Sequence, residues 1–301
     1  MRVSTALLYQ QGLSGMLDQQ SALAKTQKQL SSGLRITSPA DDPAASARLV
    51  GLGQSDSQNQ QYQNNAKVAE SRLNLEDTTL GSVTGILQRV RALAVQGLNG
   101  TQSSSDRQAI ATEVRQLKGQ LTSLANTQDA NGEYLFAGYK SQTRPFTASG
   151  GTVSFAGDQG QRVLQIGPSQ QVAVGDSGQN VFMQVPDKAT GSGYQSVFAT
   201  VENLIQGLQS NAPNSNVLSN IDAAIGNVSD TRARVGARLN ILDRQKQVNS
   251  AVHLQISTTR SQLQDLDYAK ATSRLQQQLL GLQAAQQSFV KLEGLSLFKY
   301  L

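Results

Sequence analysis

The chain has 301 residues, enough for two domains, and only 16% of them are charged. It contains no cysteine and one histidine, which excludes disulfides, cysteine-based metal sites and cysteine nucleophiles. The net charge of +5 comes from Lys and Arg residues scattered singly, which is typical of a solvated surface and does not favour nucleic-acid binding.

Two kinds of targeting segment are not indicated by the sequence. No apolar run approaches the roughly 18 residues that a membrane span needs, so we expect no membrane partner. The N-terminal segment lacks a clean signal-peptide core and cleavage site, because Tyr9, Gln10 and Gln11 break its apolar run. We therefore expect any export to use a route without a cleaved signal.

The first predicted helix covers residues 3–35, where apolar residues recur at alternating spacings of three and four. Gln20 and Gln27 interrupt this stripe, so the helix should form through packing rather than alone. A turn follows, bracketed by Pro39 and Pro43. Its predicted turn residues are Pro39, Asp41, Asp42 and Pro43, with Asp42 as helix cap and Pro43 in the first helical position.

A second helix is predicted from Pro43 to about residue 99, with a polar stretch at residues 54–65 that we expect to be less regular. Its apolar heptad positions include Leu73, Leu80, Leu87 and Val90. Asn99 and Gly100 form a stop signal. A shorter helix should begin near Ser103 and end at residues 131–132.

Residues 133–194 have a different pattern, with short β-branched and aromatic runs separated by Gly, Asp and Ser. Such runs predict strands. Five of the seven Phe residues lie between Phe136 and Phe198. The segment is predicted to be a small inserted β domain with its own aromatic core.

The longest helix is predicted over residues 216–266, after a short helix near residues 194–209 and a start signal at Pro213. Its apolar residues repeat about every 3.5 positions, which is typical of a helix packed lengthwise against others. The repeat includes Ile221, Ala224, Val228, Val235 and Leu242. At 1.5 Å per residue it would reach roughly 75 Å, too long for a compact core. Asp265 and Asp267 interrupt it, and Asp267 can cap a last amphipathic helix.

This near-palindromic order predicts a mainly α fold. The N- and C-terminal arms would form a long antiparallel coiled coil or bundle, with the β domain at its distal end. The predicted division is residues 1–37 (N-terminal polymerisation helix), 38–132 (N-terminal arm), 133–194 (β domain), 195–266 (C-terminal arm) and 267–301 (C-terminal polymerisation helix).

The apolar stripes of the two terminal helices form the predicted assembly interface. One helix pair cannot bury both stripes, so residues 1–35 and 268–301 are expected to be poorly ordered in a single copy and to order against further copies. The predicted interface residues are Leu13, Met16, Leu23, Leu30, Leu275, Leu279, Leu282, Phe289, Leu292 and Leu295.

Three motifs, found at both ends of the chain, resemble flagellin-like proteins. LSSGLRITSPADDPAAS at residues 30–46 resembles the link between their N-terminal helices. RARVGARLNIL at residues 232–242 and LQDLDYAKATSRL at residues 263–275 resemble their C-terminal arm. The resemblance covers residues 1–140 and 195–301, and it implies a secreted structural subunit.

Further features resemble the hook-associated branch of this superfamily. They are PADDPA at residues 39–44, NGEYLFAGYKSQTRPF at residues 131–146, and an ending SLFKYL in place of the Leu-Leu-Arg type usual in flagellin. The resemblance implies type III export and a place at the junction of hook and filament. The implied partners are copies of this chain, the first hook-associated protein, flagellin and an export chaperone. A short flagellin is the alternative, and a surface adhesin or basic coiled-coil binding protein is a remote one.

Catalysis and cofactor binding find little support in the sequence. His253, the only histidine, lies on the long helix and is expected to be a helix-surface or seam residue. Asp265 and Asp267 are better explained by helix termination than as paired carboxylates. No P-loop, dinucleotide fingerprint, zinc-protease motif or EF-hand spacing is present, so we expect no cofactor.

The apolar C-terminal segment must be kept from aggregating before export. The sequence therefore predicts that a cytoplasmic chaperone holds residues within 268–301.

Overall fold

The computed structural model describes residues 2–188 and 190–294, with side chains for residues 7, 9–188 and 190–291. The described chain is mainly helical. Its helices are α1 (Arg2–Ser32), α2 (Pro43–Leu98), α3 (Ser104–Ala125), α4 (Val197–Gln209), α5 (Asn216–Gln264) and α6 (Tyr268–Gly294). The predicted fold class, long antiparallel helical arms with a small β insertion, is confirmed.

The strands of the described chain pair as three antiparallel hairpins rather than as one sheet. They are β1 (Phe146–Ser149) with β2 (Thr152–Phe155), β3 (Val163–Gln165) with β4 (Gln171–Ala173), and β5 (Val185–Pro186) with β6 (Tyr194–Gln195). A π-helical turn lies at Gln179–Met183. No described helix combines the length and apolarity that would let it cross a membrane.

The chain divides into two compact units. The terminal unit consists of residues 1–58 and 251–301, and the central unit consists of residues 59–250. Both are helical, and the strands belong to the central unit.

In the central unit, α2 and α5 run antiparallel. Arg91 Nε lies 2.5 Å from Asp222 Oδ1, and Lys246 Nζ lies 2.8 Å from a Glu70 oxygen, so positions rise along one helix as they fall along the other. The predicted heptad positions form the core between them. Fully buried members are Leu73, Leu80, Leu87, Val90, Ile221, Ala224, Val228, Val235 and Leu242.

An aromatic cluster fills the region around the hairpins. Phe182 lies at its centre, with ring centroids 5.2 Å from Phe136, 5.4 Å from Phe146 and 5.9 Å from Phe198. The cluster is continuous with the apolar core of the helices, and Phe198 belongs to α4. The predicted aromatic core therefore exists, but the helices share it.

Two predicted helix details are wrong. The polar stretch at residues 54–65 is regular helix, because its polar groups find partners: Asn59 Nδ2 donates to the Asn249 carbonyl at 2.8 Å. The helix that begins after Ser103 ends at Ala125, not at residues 131–132. The side chain of Asn126 there pairs with both backbone groups of Phe146, which turns the chain towards β1.

A buried carboxyl links α2 to the hairpin region. Glu76 is 1% exposed, and its Oε1 accepts a hydrogen bond from the Asp176 backbone N–H at 3.0 Å. Asp176 in turn accepts two hydrogen bonds from Arg238 of α5, at 2.9 and 3.0 Å. Burial, together with the Asp176 carboxylate, raises the pKa of Glu76 to about 8.

We expect Glu76→Gln to remove a pH dependence of stability. A carboxyl whose pKa is raised by folding binds its proton more tightly in the native state, so the wild-type free energy of unfolding should fall as pH rises from about 5 to about 8. At about 1.4 kcal/mol per pKa unit, the fall amounts to several kcal/mol at most. Urea unfolding of both proteins across this range measures it, and parallel pH profiles would contradict a protonated Glu76.

Candidate assembly surface

The two terminal helices pack antiparallel against each other within one copy. The Tyr9 and Phe289 ring centroids lie 4.9 Å apart. A Cβ added to Gly12 would lie 3.2 Å from Phe289, so glycine permits this close approach. Gln19 Nε2 donates to the Gln278 carbonyl at 3.4 Å. The structure therefore corrects the expectation that residues 1–35 and 268–301 are poorly ordered in a single copy. Over the described residues they form helices, and each helix covers part of the apolar stripe of the other.

This pairing leaves the predicted interface residues only partly covered. Leu13 and Leu279 are exposed, at 41% and 40%. Leu292 lies in α6 without a described side chain, and Leu295 lies outside the described residues. The half-buried members are Met16, Leu23, Leu30, Leu275, Leu282 and Phe289.

The terminal unit has few buried apolar side chains. Among its described residues, the buried apolar positions are Ile36, Ala45, Ile256 and Ala271, and three polar residues, Thr26, Gln29 and Asp56, are buried with them. A single copy thus covers little of the apolar surface that its terminal helices carry.

Several exposed apolar residues were not predicted as interface residues. Leu7 and Leu17 of α1 are 54% and 56% exposed, and Leu280 of α6 is 67% exposed. A second heptad count along α1, starting at Leu7, would have found the first two.

The two predicted turn regions lie together. Leu34 and Asp265 form an antiparallel bridge. The Arg35 N–H donates to the Gln264 carbonyl at 2.7 Å, and the Leu266 N–H donates to the Gly33 carbonyl at 3.0 Å. Each inter-helix turn therefore fixes the other by backbone hydrogen bonds, which the sequence did not predict.

The acidic turn residues have separate roles. Asp42 Oδ1 accepts the Ala45 N–H at 3.0 Å and caps α2, with Pro43 in its first position and Pro39 exposed in the turn. Asp267 Oδ1 accepts the Lys270 N–H at 3.1 Å and caps α6, which confirms those predictions.

Asp265 and Asp41 act within the turns. Asp265 does not cap α6, because its Oδ2 accepts a hydrogen bond from Ser261 of α5 at 2.5 Å. Asp41 Oδ2 accepts the backbone N–H groups of Thr37 and Ser38 at 2.8 and 2.9 Å, and Lys25 lies 2.7 Å from Oδ1.

We expect the turn around Asp41 to loosen in acid. The ion pair with Lys25 and the N–H groups of Thr37 and Ser38 hold the pKa of Asp41 well below its usual range. A depressed native pKa contributes stability above the ordinary carboxyl pKa, and this stability is lost as pH falls below about 4. Hydrogen-exchange protection of the Thr37 and Ser38 amides should drop there in the wild type. In Asp41→Ala, which removes the acceptor, it should be low at every pH, and unchanged protection in that variant would contradict the role.

His253 has a helix-to-helix role. Its Nδ1 lies 2.6 Å from Asp56 Oδ1, so the pair joins α5 to α2 within the terminal unit. This arrangement agrees with the predicted helix-surface role. Hydrolytic chemistry would also require a positioned nucleophile beside the ring.

Comparison with known proteins shows which family the chain belongs to. The bacterial flagellin N-terminal helical region matches residues 3–141, and the bacterial flagellin C-terminal helical region matches residues 218–301. Flagellar hook-associated protein 3 of Escherichia coli strain K12 is 33% identical, over 99% of both chains. This chain belongs to the hook-associated protein 3 family. It is therefore a structural subunit of the bacterial flagellum, with an exported location.

Other members and relatives agree with this assignment. Hook-associated protein 3 of Salmonella typhimurium strain LT2 is 31% identical over 99% of both chains. A flagellin of Bacillus subtilis strain 168 is 29% identical, over 95% of this chain and 94% of its own. The identity to hook-associated protein 3 is the higher of the two over the whole length, which favours this family over flagellin.

Solved structures share the fold. Hook-associated protein 3 of Legionella pneumophila superimposes with a TM-score of 0.66 at 23% identity, over 70% of this chain and 98% of its own. A structure described as the flagellar junction protein from the same species has a TM-score of 0.62 at 23% identity, over 73% and 100% of the two chains. At these identities the likeness concerns the fold alone.

Proposed function

We propose that this subunit forms the junction between hook and filament and assembles through the apolar stripes of α1 and α6. One observation carries the proposal: the terminal helices are paired in a single copy, yet Leu13, Leu279 and the half-buried stripe residues stay partly exposed. Soluble monomers rarely expose large contiguous apolar surface, and such surfaces mark interaction sites.

The energetics suit assembly through many small contacts. Burial of apolar area contributes about 25 cal/mol per Å², so a fully buried leucine contributes roughly 1.5–3 kcal/mol. A subunit that contacts several neighbours adds such contributions from each. In this proposal residues 1–37 and 267–301 are the polymerisation helices, and residues 38–132 and 195–266 form the arms.

Each proposed partner has a position along the flagellum. Copies of this chain are the lateral neighbours, the first hook-associated protein lies on the hook side, and flagellin lies on the filament side. Export would occur unfolded through the flagellar type III apparatus. The family resemblance implies these partners, and hook-associated protein 3 and flagellin are among the relatives of this chain.

Immunogold labelling of shed flagella tests the proposed position. A junction subunit should label a thin ring where hook and filament meet, and a short flagellin should label the whole filament. Labelling along the filament would overturn the junction and favour flagellin, to which the Bacillus subtilis likeness gives some support.

A cytoplasmic export chaperone is proposed to bind within residues 268–301. In the described part of this segment, Leu280 and Val290 are 67% and 65% exposed, so it presents apolar surface before assembly. Deleting residues 268–301 should abolish co-purification of the chaperone from the cytoplasm. Undiminished co-purification would place the chaperone site elsewhere.

A further inference from the structure

An open groove lies between α2 and α5 in the terminal unit. It has a volume of about 520 Å³, with Leu52 and Leu263 among its lining residues. A Cβ added to Gly51, in its wall, would meet no heavy atom within 4 Å, so this wall faces open space. The groove can therefore accept side chains from another helix.

A second stripe runs along α1, separate from the stripe that meets α6. It begins at Leu7 and continues at alternating spacings of three and four through Gln10, Ser14, Leu17 and Ser21. All five are exposed, Leu7 and Leu17 by 54% and 56%. Such spacing is typical of a helix seam, and within one copy this seam stays uncovered.

Charge favours α1 over α6 as the helix that binds in the groove. Arg48 lines the groove and is exposed, and within the part of the chain whose side chains are described it has no ion-pair partner. Asp18 is also exposed and has no ion-pair partner among the described side chains. It flanks the α1 seam next to Leu17 and is the only acidic residue of α1. From Tyr268 to Val290, α6 carries Lys270 and Arg274, which Arg48 would repel, and its one acidic residue, Glu293, follows only in the last turn.

We propose that this groove binds the outer stripe of α1 from a second copy of the chain, with Asp18 of that copy against Arg48. The α1 helix of the same copy does not fill the groove, since its outer leucines are exposed. Leu17 would enter the groove, and the Asp18–Arg48 pair at its rim would fix the register. The inference rests on the proposed function, because it names one contact through which the subunits assemble.

A charge exchange tests the pairing in a strain that lacks the wild-type gene. Arg48→Asp and Asp18→Arg should each lower the amount of subunit in purified flagella by about tenfold or more, since each places like charges together. The double variant should return to near the wild-type amount. Single variants that incorporate normally, or a double variant as low as either single one, would overturn the pairing.

A neutral variant tests the groove without touching the charges. Gly51→Leu fills it with a good helix former and should lower incorporation while the subunit still folds. Gly85→Leu is the matched control, because Gly85 lies on the same helix, is exposed and also has free space at its Cβ. Equal incorporation of the two variants would overturn the groove as a docking site.

Cross-linking between introduced cysteines detects the contact directly. The chain has no cysteine of its own that could react. Asp18→Cys and Arg48→Cys, carried on separate copies in one flagellum, should give a dimer with a short bismaleimide, and neither should do so alone. Asp18→Cys with Ser82→Cys, an exposed position in the central unit, serves as the control pair. Subunits that label the junction but give no dimer would overturn the groove contact and leave the proposed function standing.

Discussion

Replacing Leu279 with aspartate is expected to keep the subunit out of the flagellum while the central unit still folds. Leu279 is 40% exposed, so the change removes less packing within one copy than a change at a buried leucine would. In an assembled interface the aspartate would be a buried charge without a partner, in place of a leucine that contributes roughly 1.5–3 kcal/mol. A loss of about 3 kcal/mol weakens one contact by more than about a hundredfold. Immunoblots of purified flagella measure incorporation, and circular dichroism checks that the helices remain.

The control places the same charge on the opposite side of the helix. Gln277 is exposed and lies two residues earlier, more than half a turn around α6, so Gln277→Asp should incorporate normally. Leu282→Asp should also fail, but Leu282 is half-buried, so its failure would combine lost subunit packing with lost assembly. Normal incorporation of Leu279→Asp would show that this side of α6 is not an assembly surface.

Replacing Phe182 with alanine is expected to cause a large loss of stability in the central unit. Phe182 is fully buried, and its ring contacts Phe136, Phe146 and Phe198. Truncation of a buried phenylalanine costs about 3–5 kcal/mol through lost burial and the cavity that remains. The midpoint of urea unfolding, followed by tyrosine fluorescence, measures the change.

A surface residue of the same region gives the comparison. Val163 in β3 is 55% exposed, so Val163→Ala should change the free energy of unfolding by less than about 0.5 kcal/mol. Equal losses for the two variants would mean that the aromatic cluster does not hold the hairpins and helices together.

Helix positions and the core faces of the arms were predictable from the sequence because their signals are local and periodic. The heptad count placed Leu80, Leu87, Ile221 and Val228 on buried faces, and all four are fully buried. The Asp42 cap and the Asp267 cap also follow from residue type and spacing alone.

The candidate surface was only partly predictable. A stripe count shows which residues share one face of a helix, but it does not show how much of that face a neighbouring helix covers. Leu13 and Leu279 thus stay exposed, whereas Leu282 is half-buried and Phe289 packs against Tyr9 of α1. The Leu34–Asp265 bridge joins turns that are distant in sequence, so neither turn contains a signal for the other.

By itself, the sequence determined the helical arms, the short strands between them, the turn chemistry and the family resemblance, because each depends on neighbouring residues or on a linear motif. Only the tertiary structure decided that α1 pairs with α6 in one copy, that the hairpins share their aromatic core with the helices, and that Glu76 is buried. These features depend on which distant residues meet, and burial and charge pairing are fixed by those contacts rather than by position along the chain.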